Sequence, residues 1–306
     1  MIDLAVKIGS LNLKNPVLVA SGTFGYGKEA KELVDLASLG GIITKSVSPM
    51  PRDGNPPPRI LEVPAGMLNS IGLQNVGVEA FVNEKLPFLR NIDTTVIVNI
   101  AGSSAEEYLA VVSRLDGEDG IAGYELNFSC PNVKEGGLEF SQDSKVTAKV
   151  TSLIRNATKR PLIIKLTPNV TRIRDIARAA ADSGADAVSL INTLVGMAVD
   201  VETQRAKINT ITAGYSGPAI KPVALAKVYE VAQAVDIPII GIGGIMNTQD
   251  ALEFLIAGAC AIQVGTANFI DPSTGERIVR ELAEYCQEKK LGSISELTGS
   301  LKTDMD

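Results

Sequence analysis

The sequence contains no histidine among its 306 residues, and this absence removes several common kinds of active site. A Ser-His-Asp triad, a histidine-ligated zinc and a histidine general base are all excluded. Any proton transfer must therefore use cysteine, lysine, tyrosine or a carboxylate.

Cysteine and positive charge are also scarce. The three cysteines, Cys130, Cys260 and Cys286, are odd in number and have no Cys-x-x-Cys spacing. This argues against a disulfide framework and against a self-contained zinc or iron–sulfur site, and it favours a reducing compartment. The formal net charge is −6, which argues against non-specific binding to nucleic acid because such binding needs clustered lysine and arginine.

Segments that direct a chain to a membrane are not evident. Residues 1–4 have no basic region followed by an apolar stretch, which predicts no signal peptide. We find no uncharged apolar run long enough to cross a bilayer. Hydrophobic residues make up 45% of the chain, enough for a sizeable core. We expect a cytoplasmic protein.

The sequence does contain a series of short apolar runs rich in valine and isoleucine. Strands buried on both faces have such continuous hydrophobic runs, and helical segments follow most of these. Eight runs with intervening helices predict a (β/α)8 TIM barrel, formed by residues 1–306 as one domain, with a doubly wound sheet as the competing fold. The runs are 16–20, 41–44, 96–100, 123–128, 162–166, 187–191, 237–242 and 261–265, and the helices are 104–115, 145–158, 170–184, 221–234, 248–258 and 272–290.

Three further segments complete the predicted barrel. Residues 4–15 predict an N-terminal hairpin that closes the amino-terminal end. The connections 46–79 and 192–217 are too long for plain loops. Long ordered loops are usually functional, and in a barrel they lie at the carboxyl ends of the strands, where active sites are built.

Glycine turns follow the last two predicted strands. Gly241 to Ile245 comes after the seventh strand, and Gly265-Thr266 comes after the eighth. Glycine allows backbone amides to approach a ligand closely, and in barrels these two loops often bind phosphate. The position of both turns favours a phosphate site and the barrel, although tight turns without a ligand are the alternative. Phosphate alone does not choose between a substrate and a cofactor.

Polar side chains stand at the ends of five consecutive predicted strands. They are Lys45, Asn99, Asn127, Lys165 and Asn192. Buried lysine and asparagine are costly unless paired, and neither lysine has a compensating acid nearby in the sequence. A polar, planar ligand with an anionic or electron-rich group is the favoured interpretation. A purely structural polar network is the alternative.

Cys130 differs from the other two cysteines by its place in the chain. It follows the fourth strand in the segment Asn127-Phe128-Ser129-Cys130-Pro131-Asn132, at the end of the barrel where chemistry is expected. With no histidine in the chain, it is the natural candidate base, and nearby lysines can lower the pKa of a thiol. Cys260 and Cys286 are interpreted as small buried hydrophobic residues.

The sequence resembles the dihydroorotate dehydrogenases along nearly its whole length. The resemblance rests on ASGTFGYG at 20–27, ITKSVS at 43–48, GNPPPRI at 54–60, NSIGLQNVG at 69–77, ELNFSCPN at 125–132, IIKLTPN at 163–169, SLINTLVGMAVD at 189–200, SGPAIKPVAL at 216–225, IGIGGI at 240–245 and QVGTA at 263–267. It implies FMN-dependent oxidation of (S)-dihydroorotate to orotate in de novo pyrimidine (UMP) biosynthesis.

The cysteine in the NFSCPN segment is similar to class 1, the branch of the family without a membrane-associated extension. The segments INTLVGMAVD and GYSGPAIKPVAL are more similar to the NAD-linked subtype 1B than to the fumarate-using subtype 1A. Subtype 1B implies a homodimeric core and a partner subunit with FAD and a [2Fe–2S] cluster, in an α2β2 heterotetramer that passes electrons to NAD⁺. No bound metal is expected on this chain.

The resemblance also implies roles for individual residues. Cys130 and Lys45 are the implied catalytic residues, with Cys130 as the base, and the segment 129–143 is the expected lid. The implied FMN contacts are Ser21, Lys45, Ser46, Asn99, Asn127, Lys165, Ile191, Gly217, Gly243, Gly244, Gly265 and Thr266. The implied substrate contacts are Lys45, Asn69, Ser70, Ile71, Gly72, Leu73, Asn127, Asn192 and Thr193.

Other functions remain open from the sequence. Within the flavin enzymes the alternatives are the fumarate-linked subtype 1A and a dihydropyrimidine dehydrogenase-like enzyme. A Schiff-base aldolase on the same fold would use a strand-end lysine such as Lys165. A non-catalytic barrel that binds a phosphate-containing ligand is the most distant alternative.

Overall fold

The computed structural model describes residues 2–129 and 140–303, and its central element is a closed barrel of eight parallel strands. In chain order after the N-terminal hairpin, the barrel strands are β3 (Val17–Val19), β4 (Gly41–Ile43), β7 (Thr95–Ile100), β8 (Gly123–Asn127), β9 (Leu162–Lys165), β10 (Ala187–Leu190), β15 (Ile239–Ile242) and β16 (Ala261–Val264). The order around the barrel is β3-β4-β7-β8-β9-β10-β15-β16, and β16 pairs with β3 to close it. The predicted (β/α)8 barrel is confirmed.

The barrel strands form where the sequence has short runs of branched apolar residues. Most of their side chains are fully buried, because the inner face packs in the barrel and the outer face packs against helices. Each predicted run matches one strand to within a few residues.

Helices alternate with most of the barrel strands. The longer ones are α3 (Ala105–Leu115), α4 (Ser144–Ala157), α5 (Ile173–Asp182), α6 (Lys221–Ala232), α7 (Thr248–Ala257) and α9 (Thr274–Lys289), and a short α8 (Ala267–Ile270) follows β16. Ser104, Asp143 and Asn247 cap three of them by accepting hydrogen bonds from backbone amides of the first turn. The predicted helices are therefore present.

One helical segment was not predicted. It consists of α1 (Gly77–Ala80), a π-helical stretch (Phe81–Lys85) and α2 (Leu86–Leu89), and it connects β4 to β7 after the long loop. Between β3 and β4 the only helical turn within the described residues is a short 3-10 turn, Leu36–Ser38.

The N-terminal hairpin, β1 (Val6–Ile8) and β2 (Leu11–Leu13), lies at the amino-terminal end of the barrel as predicted. Gly9 in its turn packs against Asp186, which directly precedes β10, and Leu11 lies near Gly123, which begins β8. The opposite end of the barrel stays free for ligands.

The two long connections form a second sheet at the carboxyl end of the barrel. The first connection supplies β5 (Ile60–Val63) and β6 (Gly66–Asn69), and the second supplies β11 (Leu194–Met197) and β14 (Thr212–Ser216). All four are antiparallel in the order β11-β14-β6-β5, so the pairing of β6 with β14 joins the two connections. A small ribbon, β12 (Val199–Asp200) and β13 (Arg205–Ala206), extends from the second connection.

Candidate active site

Two adjoining pockets occupy the carboxyl end of the barrel, beneath the second sheet. Their volumes are about 190 Å³ and about 590 Å³. The residues that line both are Ser21, Gly22, Ile60, Asn69, Ile71, Lys165, Asn192, Thr193 and Phe269. We refer to the two together as the cavity.

The smaller pocket ends in a cradle of glycines. Gly217, Gly243 and Gly244 have φ angles of +108°, +126° and +76°, which side chains rarely adopt. A Cβ on Gly217 would lie 2.7 Å from the Cα of Gly66, and one on Gly244 would lie 2.9 Å from the backbone nitrogen of Lys221. Only glycine therefore fits this cradle.

The backbone amides of the cradle are available to a ligand. Among the described residues, no acceptor is found for the backbone N–H groups of Gly243, Gly244 and Gly265. Thr266 adds a hydroxyl that donates to Ser216 Oγ at 2.8 Å. Converging free amides with a hydroxyl bind anions such as phosphate.

Lys165 lies at the end of β9 between the two pockets, with a side chain that is 8% exposed. Its Nζ atom is 3.8 Å from Oε1 of Glu125, which is fully buried on β8. Lys165 has no acid nearby in the sequence, as expected, but the fold supplies one from another strand. Glu125 is distant in sequence from Lys165, and the pairing of β8 with β9 brings the two side chains together.

Asn99 and Gln263 complete a polar layer inside the barrel around Glu125. Asn99 Nδ2 donates to Glu125 Oε1 at 3.2 Å, and Gln263 Nε2 donates to Glu125 Oε2 at 2.9 Å. Ser46 donates to Asn99 Oδ1 at 2.5 Å and lines the cavity. The layer therefore satisfies a buried carboxylate and connects it to the cavity wall.

Asn127 and Asn192 form the polar wall of the larger pocket. Asn192 Nδ2 donates to Asn127 Oδ1 at 3.1 Å, and Asn192 Oδ1 accepts from the backbone amide of Thr193 at 2.8 Å. For the Asn127 Nδ2 group no acceptor is found among the described residues, so this group can donate to a ligand. Asn169 fixes the same wall because its side chain donates to the Thr193 carbonyl at 3.1 Å.

Lys45 and Arg59 bring positive charge to the larger pocket. No carboxylate within the described residues lies within 4.0 Å of either group, and Arg59 donates instead to the Asn55 carbonyl and to Gln74 Oε1. Burial lowers the pKa of Lys45, the Arg59 guanidinium lowers it further, and Glu29 opposes both effects. Two cations without a close acid attract an anionic group such as a carboxylate.

The structure brings the expected site residues together, with two exceptions. The ones that line the cavity are Ser21, Lys45, Ser46, Asn69, Ser70, Ile71, Gly72, Leu73, Asn127, Lys165, Ile191, Asn192, Thr193, Gly217, Gly243, Gly244, Gly265 and Thr266. Asn99 is fully buried and does not line the cavity. Cys130 lies outside the described residues, as does most of the expected lid 129–143.

Sequence reasoning missed Arg59, Glu125 and Phe269. Arg59 stands in the GNPPPRI motif, where no role was assigned to it. Glu125 is a charged residue inside an otherwise apolar strand, and this signal could have identified it. Phe269 is 57% exposed on α8 beside the cavity, and its sequence carries no distinctive signal.

The other two cysteines behave as apolar residues. Burial raises the pKa of Cys260 to about 11 and also raises the pKa of Cys286. Both therefore remain protonated thiols near neutral pH.

Residues 2–129 and 140–303 contain neither a membrane-spanning helix nor a side-chain cluster that could bind a metal. No helix there is both long enough and apolar enough to span a membrane. No cluster of three or more histidine, cysteine, aspartate or glutamate side chains in this part of the chain could hold a metal ion.

A closed parallel barrel with a glycine cradle and a cationic, amide-lined cavity at its carboxyl end is typical of β/α-barrel enzymes that bind anionic ligands. The chain belongs to the dihydroorotate dehydrogenase family, whose model matches residues 3–286. This confirms the resemblance found in the sequence motifs.

Two relatives agree with this assignment, and a solved structure has the same fold. The chain is 54% identical over 300 residues to the dihydroorotate dehydrogenase B (NAD(+)) catalytic subunit of Citrifermentans bemidjiense, covering 98% of each chain. It is 55% identical over 300 residues to the protein of the same name from Geotalea daltonii, again covering 98% of each. A crystal structure of DHODH in complex with ferulenol from Eimeria tenella has the same fold, with a TM-score of 0.81 at 22% identity over 97% of this chain and 88% of that one.

Proposed function

We propose that this chain is the catalytic subunit of an NAD-linked dihydroorotate dehydrogenase. It oxidises (S)-dihydroorotate to orotate with FMN in de novo pyrimidine biosynthesis, and the electrons leave through a partner subunit to NAD⁺. The whole chain acts as one FMN-binding domain. The observation that carries the proposal is the cavity itself. The glycine cradle lines its smaller pocket, the cationic amide-lined wall lines its larger pocket, and Lys165 lines both.

The glycine cradle suits the phosphate of FMN. The free amides of Gly243, Gly244 and Gly265 offer donors, and the Thr266 hydroxyl lies beside them. Side chains at Gly217 and Gly244 would collide with backbone atoms, so the cradle can be formed only by glycine. Phosphate bound by neutral amides needs no lysine or arginine of its own.

Lys165, Ser21 and Ile191 line the next part of the cavity and would hold the flavin ring. The bound flavin supplies the acceptor for the hydride that leaves the substrate. Lys165 holds a positive charge at a fixed place on the cavity wall, where it favours the negative charge of a reduced ring. Asn99 does not line the cavity. It would act indirectly, by accepting the hydrogen bond that orients the Ser46 hydroxyl on the cavity wall.

The wall formed by Lys45, Asn127 and Asn192 suits the substrate. Lys45 offers a positive charge for the orotate carboxylate, and Arg59 adds to the positive potential on the same side. Asn127 and Asn192 carry donors and acceptors that match a planar imide ring. Asn69, Ser70, Ile71, Gly72, Leu73 and Thr193 surround this position.

Cys130 is the proposed base that removes the proton from C5 of dihydroorotate. It stands three residues after Asn127 in the sequence, and Asn127 ends β8 beside the cavity. The chain has no histidine to take this role.

The partner subunit is proposed to carry FAD and a [2Fe–2S] cluster and to join a homodimer of this chain in an α2β2 assembly in the cytoplasm. The names of the relatives from Citrifermentans and Geotalea, which describe NAD(+) catalytic subunits, support a partner and this electron acceptor.

Co-purification followed by an acceptor assay tests the proposed function. The chain is expressed with and without the proposed electron-transfer subunit from the same organism. Dihydroorotate oxidation is then followed with NAD⁺ or with fumarate as the electron acceptor. We expect turnover with NAD⁺ only in the complex. Turnover of the isolated chain with fumarate would instead assign it to subtype 1A.

A further inference from the structure

Glu125 is a fully buried carboxylate that touches neither the cradle nor the substrate wall. It lies on β8 two residues before Asn127, deeper in the barrel. Its two oxygens receive hydrogen bonds from Asn99 on β7 and Gln263 on β16, and both donors are uncharged. A charge buried in this way is costly unless a counter-charge lies close by.

Lys165 is that counter-charge. It is the one cation within 4.0 Å of Glu125 among residues 2–129 and 140–303. The separation of 3.8 Å between Nζ and Oε1 is too long for a hydrogen bond. No hydrogen bond from Lys165 Nζ to an acceptor is found within the same residues. The ammonium is therefore held by charge while its three N–H donors stay free for a ligand in the cavity.

We propose that Glu125 is a positioning residue that holds Lys165 at the cavity and offsets part of its positive charge. Through this offset, Glu125 sets how strongly the site prefers reduced over oxidised flavin, because reduction adds negative charge to the ring that Lys165 faces. The inference rests on the proposed function. It adds to that function a residue that shapes the redox balance without contact with either ligand.

The polar layer makes Glu125→Gln a suitable test variant. Glutamine keeps the size of the side chain and removes only its charge. Gln263 Oε1 is buried and has no hydrogen-bond partner within the described residues. A rotated Gln263 amide can therefore accept a hydrogen bond from the new amide, so the hydrogen bond between these two side chains can be kept in the variant.

The experiment measures the midpoint potential of bound FMN relative to free FMN. The difference gives the dissociation constant of oxidised FMN divided by that of reduced FMN. In the Glu125→Gln variant we expect this ratio to rise roughly tenfold or more, because an anion a few ångströms from Lys165 has been removed. Glu125→Asp draws the carboxylate back from Lys165, so a smaller rise in the same direction is expected. Ser189→Ala is the control, since Ser189 is an uncharged buried neighbour of Lys165 in the β9–β10 register.

The outcomes separate the inference from the proposed function. An unchanged ratio in Glu125→Gln, or a ratio that shifts equally in Ser189→Ala, would overturn the positioning role while the wild type still binds FMN and oxidises dihydroorotate. Failure of the wild type to bind FMN would overturn the proposed function itself. If the glutamine variant does not fold, a Glu125→Asp ratio equal to that of the wild type still contradicts the inference.

Discussion

Lys45 is a cation whose charge is weakened by its surroundings. Burial and the nearby Arg59 favour the neutral amine, so its pKa lies below that of an ordinary lysine. Between this lowered pKa and the ordinary one, the unfolded chain binds more protons than the folded chain. In that window the contribution of Lys45 to stability rises with pH, while the charge available to a ligand is lost.

Orotate affinity should therefore depend on pH through Lys45. We expect the dissociation constant of orotate, measured by titration of the flavin spectrum, to rise at a pH below the range of an ordinary lysine. Lys45→Met should weaken binding roughly ten- to a hundredfold near neutral pH and abolish this pH dependence. Lys28→Met, which changes an exposed lysine outside the cavity, is the control. A Lys45→Met variant with the wild-type pH profile would show that the carboxylate binds elsewhere.

Cys130 should matter for proton removal and not for cofactor binding. Cys130→Ala is expected to slow flavin reduction by dihydroorotate roughly a hundred- to ten-thousandfold, since this is the usual contribution of a general base. FMN content should be unchanged. Stopped-flow absorbance measures the rate, and Cys260→Ala is the matched control because its thiol is held protonated by burial. If Cys130→Ala reduced its flavin at the wild-type rate, the base would have to be another group.

At the scale of elements, the glycine cradle depends on the turn after β15. Gly244 has a φ of +76°, and a Cβ there would lie 2.9 Å from the Lys221 backbone nitrogen. Gly244→Ala should displace this turn from the N-terminus of α6. The displacement would misplace the amides that are proposed to hold phosphate.

We expect Gly244→Ala to lower FMN affinity by more than tenfold, as measured by fluorescence titration of the apoprotein. The control is Gly299→Ala, where φ is +69° and no atom lies within 4 Å of the added Cβ. Both changes carry the cost of a left-handed backbone, about 1 kcal/mol or more. Equal FMN affinity in the two variants would show that the cradle does not bind FMN.

The barrel strands were predictable because burial on both faces leaves continuous apolar runs. The second sheet was not, since β6, β11 and β14 contain Gly66, Gly196 and Gly214, and their side chains are only partly buried. Such strands show neither a continuous run nor a clear alternation. Their pairing depends on contact between two connections that are far apart in sequence, which periodicity cannot reveal.

The candidate site also contains residues that the sequence could predict and residues that it could not. Glycines and strand-end polar residues are visible in the sequence because barrel topology brings strand ends together. The partner of Lys165 was not visible, because Glu125 lies on the neighbouring strand β8, forty positions earlier in the sequence. Residues adjacent to Lys165 in the sequence therefore did not reveal the negative charge that lies beside it.

At the scale of the whole molecule, different elements cover the two ends of the barrel. The hairpin covers the amino-terminal end, and the second sheet covers the cavity at the other end. In the proposed function, substrate and flavin would occupy the cavity between the second sheet and the buried Glu125–Lys165 pair. Dihydropyrimidines that lack a carboxylate should bind poorly, because nothing would meet Lys45 and Arg59.

Anaerobic mixing of the purified protein with (S)-dihydroorotate is the sharpest test of the proposed activity. We expect a yellow protein with one FMN per chain that bleaches on mixing, while dihydrouracil leaves the colour unchanged. A colourless protein, or a flavin that dihydrouracil reduces as fast as dihydroorotate, would contradict it.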